Sequence, residues 1–257
     1  MNVYWLEQAE VDVRVDDDWL SANEAASLGG IHFPKRRADW RLGRWTAKCA
    51  LSVTLDLPVH SQPLRKIEIR AALSGWPQVF FCNRPLARSI SLSHRAGVAA
   101  CAVSMSSAEL GCDLEMVEPR SEAFVADYFS IEEQALVASV SAVDRPRLLA
   151  LLWSAKESTL KALRVGLRLD TRSVVVFPCA MSFDCNGWNE LRVHYTSGRN
   201  AGDLPVADRL FHGWWHYADN MVRTLVAAPP PDPPIRLRIP VCVPNASFLS
   251  RRGWCLA

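Results

Sequence analysis

Residues 147 to 164 constrain the fold more than any other stretch, because a long helical pattern there runs directly into strand patterns. Within it, LLWSAKESTLKAL (151–163) begins like the buried face of a helix and then sets Lys156, Glu157 and Lys161 around the apolar stripe. The helix is expected from about Arg147 to Arg164, ending near Gly166. Past it, SVVVFPC, NELRVHY and MVRTLVA read as sheet, and FHGWWHY as an aromatic strand or turn. Upstream, VYWLEQAEV reads as a strand, SANEAASLG as a short helix and RKIEIRAAL as another strand. Turns are expected at Asn83-Arg84-Pro85 and Ala96-Gly97. Between and after them come a strand ending near Ser93 and an apolar strand from Val98 to Val103. ELGCDLEMVEPR gives one more strand, stopped by Pro119, before the helical segments SEAFVADYF and SIEEQALVASV. Strands interleaved with helices in this way define an α/β or α+β fold. A helix followed by strands occurs in both halves, which hints at a duplicated architecture without a sequence repeat strong enough to establish one.

Composition narrows the function classes. The chain has 257 residues, 49% of them apolar, enough for one large domain or two packed smaller ones. Its formal charge of +2 gives no global field for nucleic acid. Eight cysteines, none in C-x-x-C spacing, read as reduced, mostly buried thiols rather than a zinc site or a disulfide framework. The opening MNVYWLEQAEVDVRVDDDW lacks the apolar run of a secretory leader, and no stretch is long and apolar enough to span a membrane. A soluble, cytoplasmic protein is the expectation. Most of the ten tryptophans are expected in the core. APPPDPPIRLRIP (228–240) is expected to be an extended connector or tail.

Charge patterning singles out two regions. In the helix expected after Pro34, Ala38, Leu42, Trp45 and Cys49 form one stripe, while Arg37, Arg41, Arg44 and Lys48 repeat the same spacing on another face. That second face is either an ordinary solvated one or an anion-facing surface. In GCDLE, Asp113 and Glu115 stand two apart and so point the same way from a strand, with Cys112 and Leu114 opposite. Two close carboxylates repel, and a cation offsets the repulsion. Glu157, on one helix side with Trp153 and Lys161, is a candidate third oxygen donor; the bland alternative is a surface Glu157–Lys161 ion pair. A carboxylate-only set suits Mg2+, or Mn2+, better than zinc. Magnesium commonly shares substrate phosphates, so acids beside lysines point to a pyrophosphate-bearing substrate. His94 and Arg84 are candidate phosphate donors.

NRPLARSISLSH, LGCDLE, YFSIEE and WSAKESTLKALRVGL, taken together, resemble the 4′-phosphopantetheinyl transferases of the larger, surfactin-synthetase-activator type, over about Arg36 to Leu169. The resemblance implies two pseudo-twofold-related halves, each a small sheet packed with helices, with coenzyme A and magnesium in the cleft between them. The corresponding division is 1–106, 107–227 and a proline-rich extension, 228–257. It implies transfer of the phosphopantetheine arm of coenzyme A to a serine of an apo acyl or peptidyl carrier protein, releasing adenosine 3′,5′-bisphosphate. By matched motif, Asp113, Glu115 and Glu157 fall on metal positions and Lys161 on a phosphate-contacting lysine. Lys156 falls on another coenzyme-contacting position, and Ser93 and His94 on the pair that touches coenzyme phosphates. Arg84 replaces a lysine, and Arg36, Arg37 or Arg41 falls where the 3′-phosphate binds. Glu133 matches a family glutamate. Ser91-Leu92, Arg95 and Cys112 depart from the family pattern without removing any of these groups.

The resemblance implies a monomer. Glu157 is the candidate base, directly or through a metal-bound water, and Lys161 and Lys156 are the candidate charge stabilisers. Alternatives from other classes are a Mg2+-dependent pyrophosphate hydrolase and a non-catalytic coenzyme-binding module. A nucleic-acid binder is disfavoured, since cations and aromatics interleave only around Trp40 and Trp45.

Overall fold

The computed structural model describes residues 1–73, 75–165, 169–179, 181, 183, 187–196 and 208–239. The fold is mixed α/β. Strand β1 (Val3–Ala9) leads to helices α1 (Ala22–Gly29), α2 (Pro34–Thr54) and α3 (Ser61–Lys66). Strands β2 (Ile67–Ala71), β3 (Pro77–Phe81), β4 (Arg84–Pro85), β5 (Ser89–Arg95), β6 (Val98–Ser104) and β7 (Glu109–Met116) follow. Next come α4 (Glu122–Tyr128), α5 (Ile131–Ser139) and α6 (Arg145–Ala162). The described chain closes with β8 (Val174–Pro178), β9 (Asn189–Tyr195), β10 (Arg209–Ala218), β11 (Met221–Ala228) and β12 (Ile235–Arg236). Three sheets result, ordered β12-β1-β6-β5, β7-β11-β10-β9-β8 and β2-β3-β4.

Local chemistry explains the boundaries. Helix α6 begins two residues before the expected Arg147, because a proline in a first turn lacks only an N–H that has no helical partner. The expected end near Gly166 lies outside the described residues. Strand β5 runs past Ser93 to Arg95 because Ala96 and Gly97 both take positive φ (50° and 76°), the two-residue turn whose twist matches the strands.

One apolar cluster, around Leu51, Ile67 and Cys101, fills the N-terminal part; a second, around Leu151, Val193 and Trp215, fills the C-terminal part. A third spans both, with Trp5 and Ala102 from the first sheet meeting Leu110, Leu114 and Leu225 from the second. Glu7 and Arg223 pair across this seam at 2.7 Å.

Each part contains the same polar lock. Ser21 caps α1 and Glu24 returns to the Ser21 N–H; the other Glu24 oxygen accepts from Ile69 N at 3.1 Å, and Lys48 of α2 reaches Glu24 at 2.5 Å. Correspondingly, Ser130 caps α5 and Glu133 returns to the Ser130 N–H. Glu133 also accepts from Val176 N at 3.0 Å, and Lys156 of α6 reaches it at 2.7 Å. Both lysines are fully buried. They lie in the strings WTAK (45–48) and WSAK (153–156), a short internal match obscured by the divergence around it.

Two regions left open by the sequence are placed here. The proline-rich segment, expected as an extended connector or tail, runs as a strap along β1 over its described part. Asp232 N donates to Met1 O, Leu237 N to Trp5 O and Trp214 Nε1 to Pro231 O, and β12 lies parallel against β1. The cationic face of α2 is not an open anion surface: Arg37 and Arg41 face Asp17 at 3.7 and 2.8 Å, and Arg44 and Lys48 face Glu24. These acids come from the preceding loop and α1, so the helix sequence alone does not show them. Cys49, Cys101 and Cys112 are buried free thiols as expected, whereas Cys82 and Cys179 are exposed; Cys185, Cys242 and Cys255 lie outside the described residues.

Candidate active site

Strand β7 delivers Asp113 and Glu115 to one side of its sheet, and Cys112 and Leu114 pack into the seam core opposite. Helix α6 crosses β7 at a glycine. A Cβ on Gly111 would sit 1.7 Å from Ser158 O, so only glycine lets the helix backbone come this close. That contact carries Glu157 and Lys161 to the acids.

The six predicted residues Ser93, His94, Asp113, Glu115, Glu157 and Lys161 line one depression of about 360 Å3 between β5, β7 and α6. Asp113 is its anchor. Lys161 Nζ donates to Asp113 Oδ1 at 2.8 Å and to Cys112 O at 2.9 Å. Ser93 Oγ donates to the same carboxylate oxygen at 2.8 Å, and Ser154 Oγ to Oδ2 at 3.0 Å. Ser154 continues to Thr224 Oγ1 at 2.8 Å, and Thr224 to Ser158 at 2.7 Å, a buried hydroxyl chain under the acid. Glu115 faces Arg120 at 3.4 Å and Arg95 at 3.8 Å. His94 is exposed on the rim.

The electrostatics are those of crowded acids. Burial, then the charge of Asp113, pushes the Glu157 carboxyl up to about 7, with Lys161 acting the other way and Glu115 adding to the rise. Burial and Asp113 likewise raise Glu115. Burial works to lower the Lys161 ammonium, but Asp113 and Glu157 more than offset it and hold its pKa above the ordinary range.

The side chains can be tested for fit to a divalent cation. Among the described residues no three His, Cys, Asp or Glu side chains are drawn close enough to grip an ion as they stand. The physical reason is visible: Lys161, Arg95 and Arg120 draw Asp113 and Glu115 toward themselves. The donor chemistry nevertheless fits. Three oxygen-only acids share one depression, two of them forced toward protonation by burial and mutual repulsion, a charge excess that a hard cation relieves.

Other predicted residues lie elsewhere. Lys156, expected at a coenzyme-contacting position, does not line the depression: its buried ammonium is paired with Glu133, and donates to Thr171 O at 2.8 Å and to Val174 O. Arg37 donates to Leu28 O at 2.8 Å, and Arg41 to Asp17, Arg14 O and Val15 O, so both are committed to the surface of the N-terminal part. Arg36 and Arg84 are exposed and line neither this depression nor the larger one beside it. Sequence reasoning missed Ser154 and Thr224. Thr224 has no local signal; it is opposed to Asp113 only through the β7–β11 register.

Residues 109–203 match the model of the 4′-phosphopantetheinyl transferase superfamily. A curated relative, the 4′-phosphopantetheinyl transferase HetI of Nostoc sp., is 26% identical over 185 residues, covering 67% of this chain and 72% of the relative. The crystal structure of Thermotoga maritima holo-acyl-carrier-protein synthase (AcpS) matches at 24% identity with a TM-score of 0.32, covering 46% of this chain and 61% of that one. The mixed α/β fold and the acid-lysine depression thus accompany a phosphopantetheinyl-transferase sequence signature. Over residues 109–203 the chain is thus similar to the 4′-phosphopantetheinyl transferase superfamily, and not to any one subtype of it.

Proposed function

We propose that this chain is a surfactin-synthetase-activator-type transferase. It moves the 4′-phosphopantetheine arm of coenzyme A to a serine of an apo acyl or peptidyl carrier protein, releasing adenosine 3′,5′-bisphosphate. The observation that carries this reading is the convergence of Asp113, Glu115, Glu157, Lys161, Ser93 and His94 on one depression. In this reading the chain works as a cytoplasmic monomer. Its halves, 1–106 and 107–227, are pseudo-twofold relatives followed by the proline-rich 228–257 extension; the paired Glu24–Lys48 and Glu133–Lys156 locks favour that relation.

Asp113, Glu115 and Glu157 would hold Mg2+, or Mn2+, which when bound neutralises pyrophosphate charge and polarises phosphorus. The chain's own groups do the rest. The carrier serine oxygen bonds to the β-phosphorus as the bond from that phosphorus to the bridging oxygen of the nucleotide breaks. The serine proton passes to Glu157, directly or through a water. Lys161 stabilises charge on the departing phosphate, an electrostatic role its cationic state at neutral pH permits. His94 faces the phosphates as a donor, and Ser93, whose proton goes to Asp113 in the metal-free protein, would donate to them on releasing that carboxylate. Arg95 and Arg120 favour an acidic surface around the carrier serine.

Mass spectrometry of a panel of apo-carriers incubated with the protein, coenzyme A and Mg2+ tests the reading. A mass gain of one phosphopantetheine on the carrier serine is expected. Coenzyme cleavage independent of any carrier would instead identify a pyrophosphate hydrolase.

A further inference from the structure

Asp113 is held from beneath by three hydroxyls that arrive from two elements. Ser154 and Ser158 lie one turn apart on α6, and Thr224 stands opposite Asp113 in the β7–β11 register. All three are fully buried, and none lines the depression. Ser154 Oγ donates to Asp113 Oδ2 at 3.0 Å; Thr224 Oγ1 lies 2.8 Å from Ser154 Oγ and 2.7 Å from Ser158 Oγ. The other carboxylate oxygen, Oδ1, is met by Lys161 and Ser93, both of which do line the depression.

Counting protons fixes a direction for this chain of hydroxyls. A carboxylate only accepts, so the Ser154 proton is committed to Asp113. Ser154 Oγ then accepts from Thr224, and Thr224 Oγ1, its own proton given, accepts from Ser158. The three O–H dipoles run one way, toward Oδ2, and in a water-free interior each strengthens the next. Thr224 is the member that fixes the others. A helical serine otherwise turns to the carbonyl of the preceding turn, and the hydrogen bond from Thr224 keeps the Ser154 oxygen beside the acid. A cation in the depression competes with Lys161 and Ser93 for Oδ1, whereas the buried hydroxyls do not face it. We propose that Thr224 is a positioning residue of the cation site: acting through Ser154, it keeps the Asp113 carboxylate fixed when the contacts at Oδ1 give way to a divalent cation. The inference rests on the cation-binding part of the transferase reading.

Binding of Mn2+ alone to the full chain, followed by electron paramagnetic resonance without coenzyme or carrier, reads the site apart from turnover. Thr224→Val nearly keeps the side-chain volume and strands no proton: Ser154 keeps Asp113, and Ser158 can turn to the backbone carbonyl of position 224, 3.4 Å away. The variant is expected to bind Mn2+ roughly fivefold more weakly, the equivalent of one neutral hydrogen bond of about 1 kcal/mol. Thr224→Ser should restore wild-type affinity. In a Ser154→Ala background, where the hydroxyl chain is already cut, Thr224→Val should weaken binding no further. Thr224→Ala replaces the valine variant if that one does not fold. Wild-type affinity in Thr224→Val, an equal loss in Thr224→Ser, or an undiminished further loss in the Ser154→Ala background would overturn the proposal, as would a wild-type chain that binds no Mn2+. Carrier labelling is a separate outcome: a chain that modifies no carrier yet shows the expected pattern loses the transferase reading and keeps the role of Thr224.

Discussion

Replacing Glu157 with glutamine separates the electrostatic account of the site from a merely structural one, because it should stabilise the metal-free protein while abolishing turnover. Glu157 has its pKa raised from 4.5 to about 7, so the folded state binds this proton more tightly than the unfolded chain does. The sign follows directly: the penalty is absent below about pH 4.5, grows as pH rises, and is complete above about pH 7. At roughly 1.4 kcal/mol per pKa unit the ceiling is about 3 kcal/mol. Glu157 is only half-buried, solvent screens it, and its attraction to Lys161 is lost in the variant, so about 1–2 kcal/mol is the working figure. For a chain of this size that is roughly 2–8 °C in Tm. Calorimetric melts of chelator-treated wild type and Glu157→Gln at about pH 5 and about pH 8 supply the measurement. The variant should melt higher at the upper pH and alike at the lower one, and added Mg2+ should raise wild type alone. A variant that melts no higher than wild type at the upper pH refutes the crowded-acid argument.

Lys156→Met strands Glu133 and should cost about 3–5 kcal/mol, with the double variant Lys156→Met/Glu133→Gln regaining part of it. KM for coenzyme A should stay unchanged in the folded fraction; an isolated rise in KM would restore Lys156 as a coenzyme contact. Gly111→Ala should leave little folded protein, by circular dichroism, since its Cβ meets helix backbone rather than a movable side chain. Ser154→Ala removes one of the hydroxyls orienting Asp113 and should raise the Mg2+ concentration for half-maximal activity about tenfold with the melting profile changed by less than about 2 kcal/mol; an unchanged Mg2+ requirement would remove it from the site's support.

Much of the site was legible because its geometry is periodic. Asp113 and Glu115 share a face through strand alternation, and Glu157 and Lys161 lie four apart on one helix side. Adding the matched motif blocks was enough to name Ser93 and His94. What escaped has non-local causes. Lys156 sits one position from Glu157 and so points to a different side of α6, and only the packing of α5 reveals that Glu133 waits there. The α2 cations look unpaired in their own helix, since Asp17 and Glu24 reach them from outside it. Thr224 meets Ser154 because of a strand register formed across more than a hundred residues. The two matching locks were hard to see because they share residues at only a few positions, WTAK and WSAK among them, between otherwise unlike stretches.

The strap formed by β12 bears on any attempt to divide this chain. In the intact fold β1 has neighbours on both sides, β6 and β12, although β12 lies past the C-terminal part in sequence. A fragment cut at residue 106 would lose that cover and present β1 as a bare edge, its backbone groups open to other molecules. Expressed separately, the two pieces should therefore stick or precipitate, and recover behaviour only on being mixed.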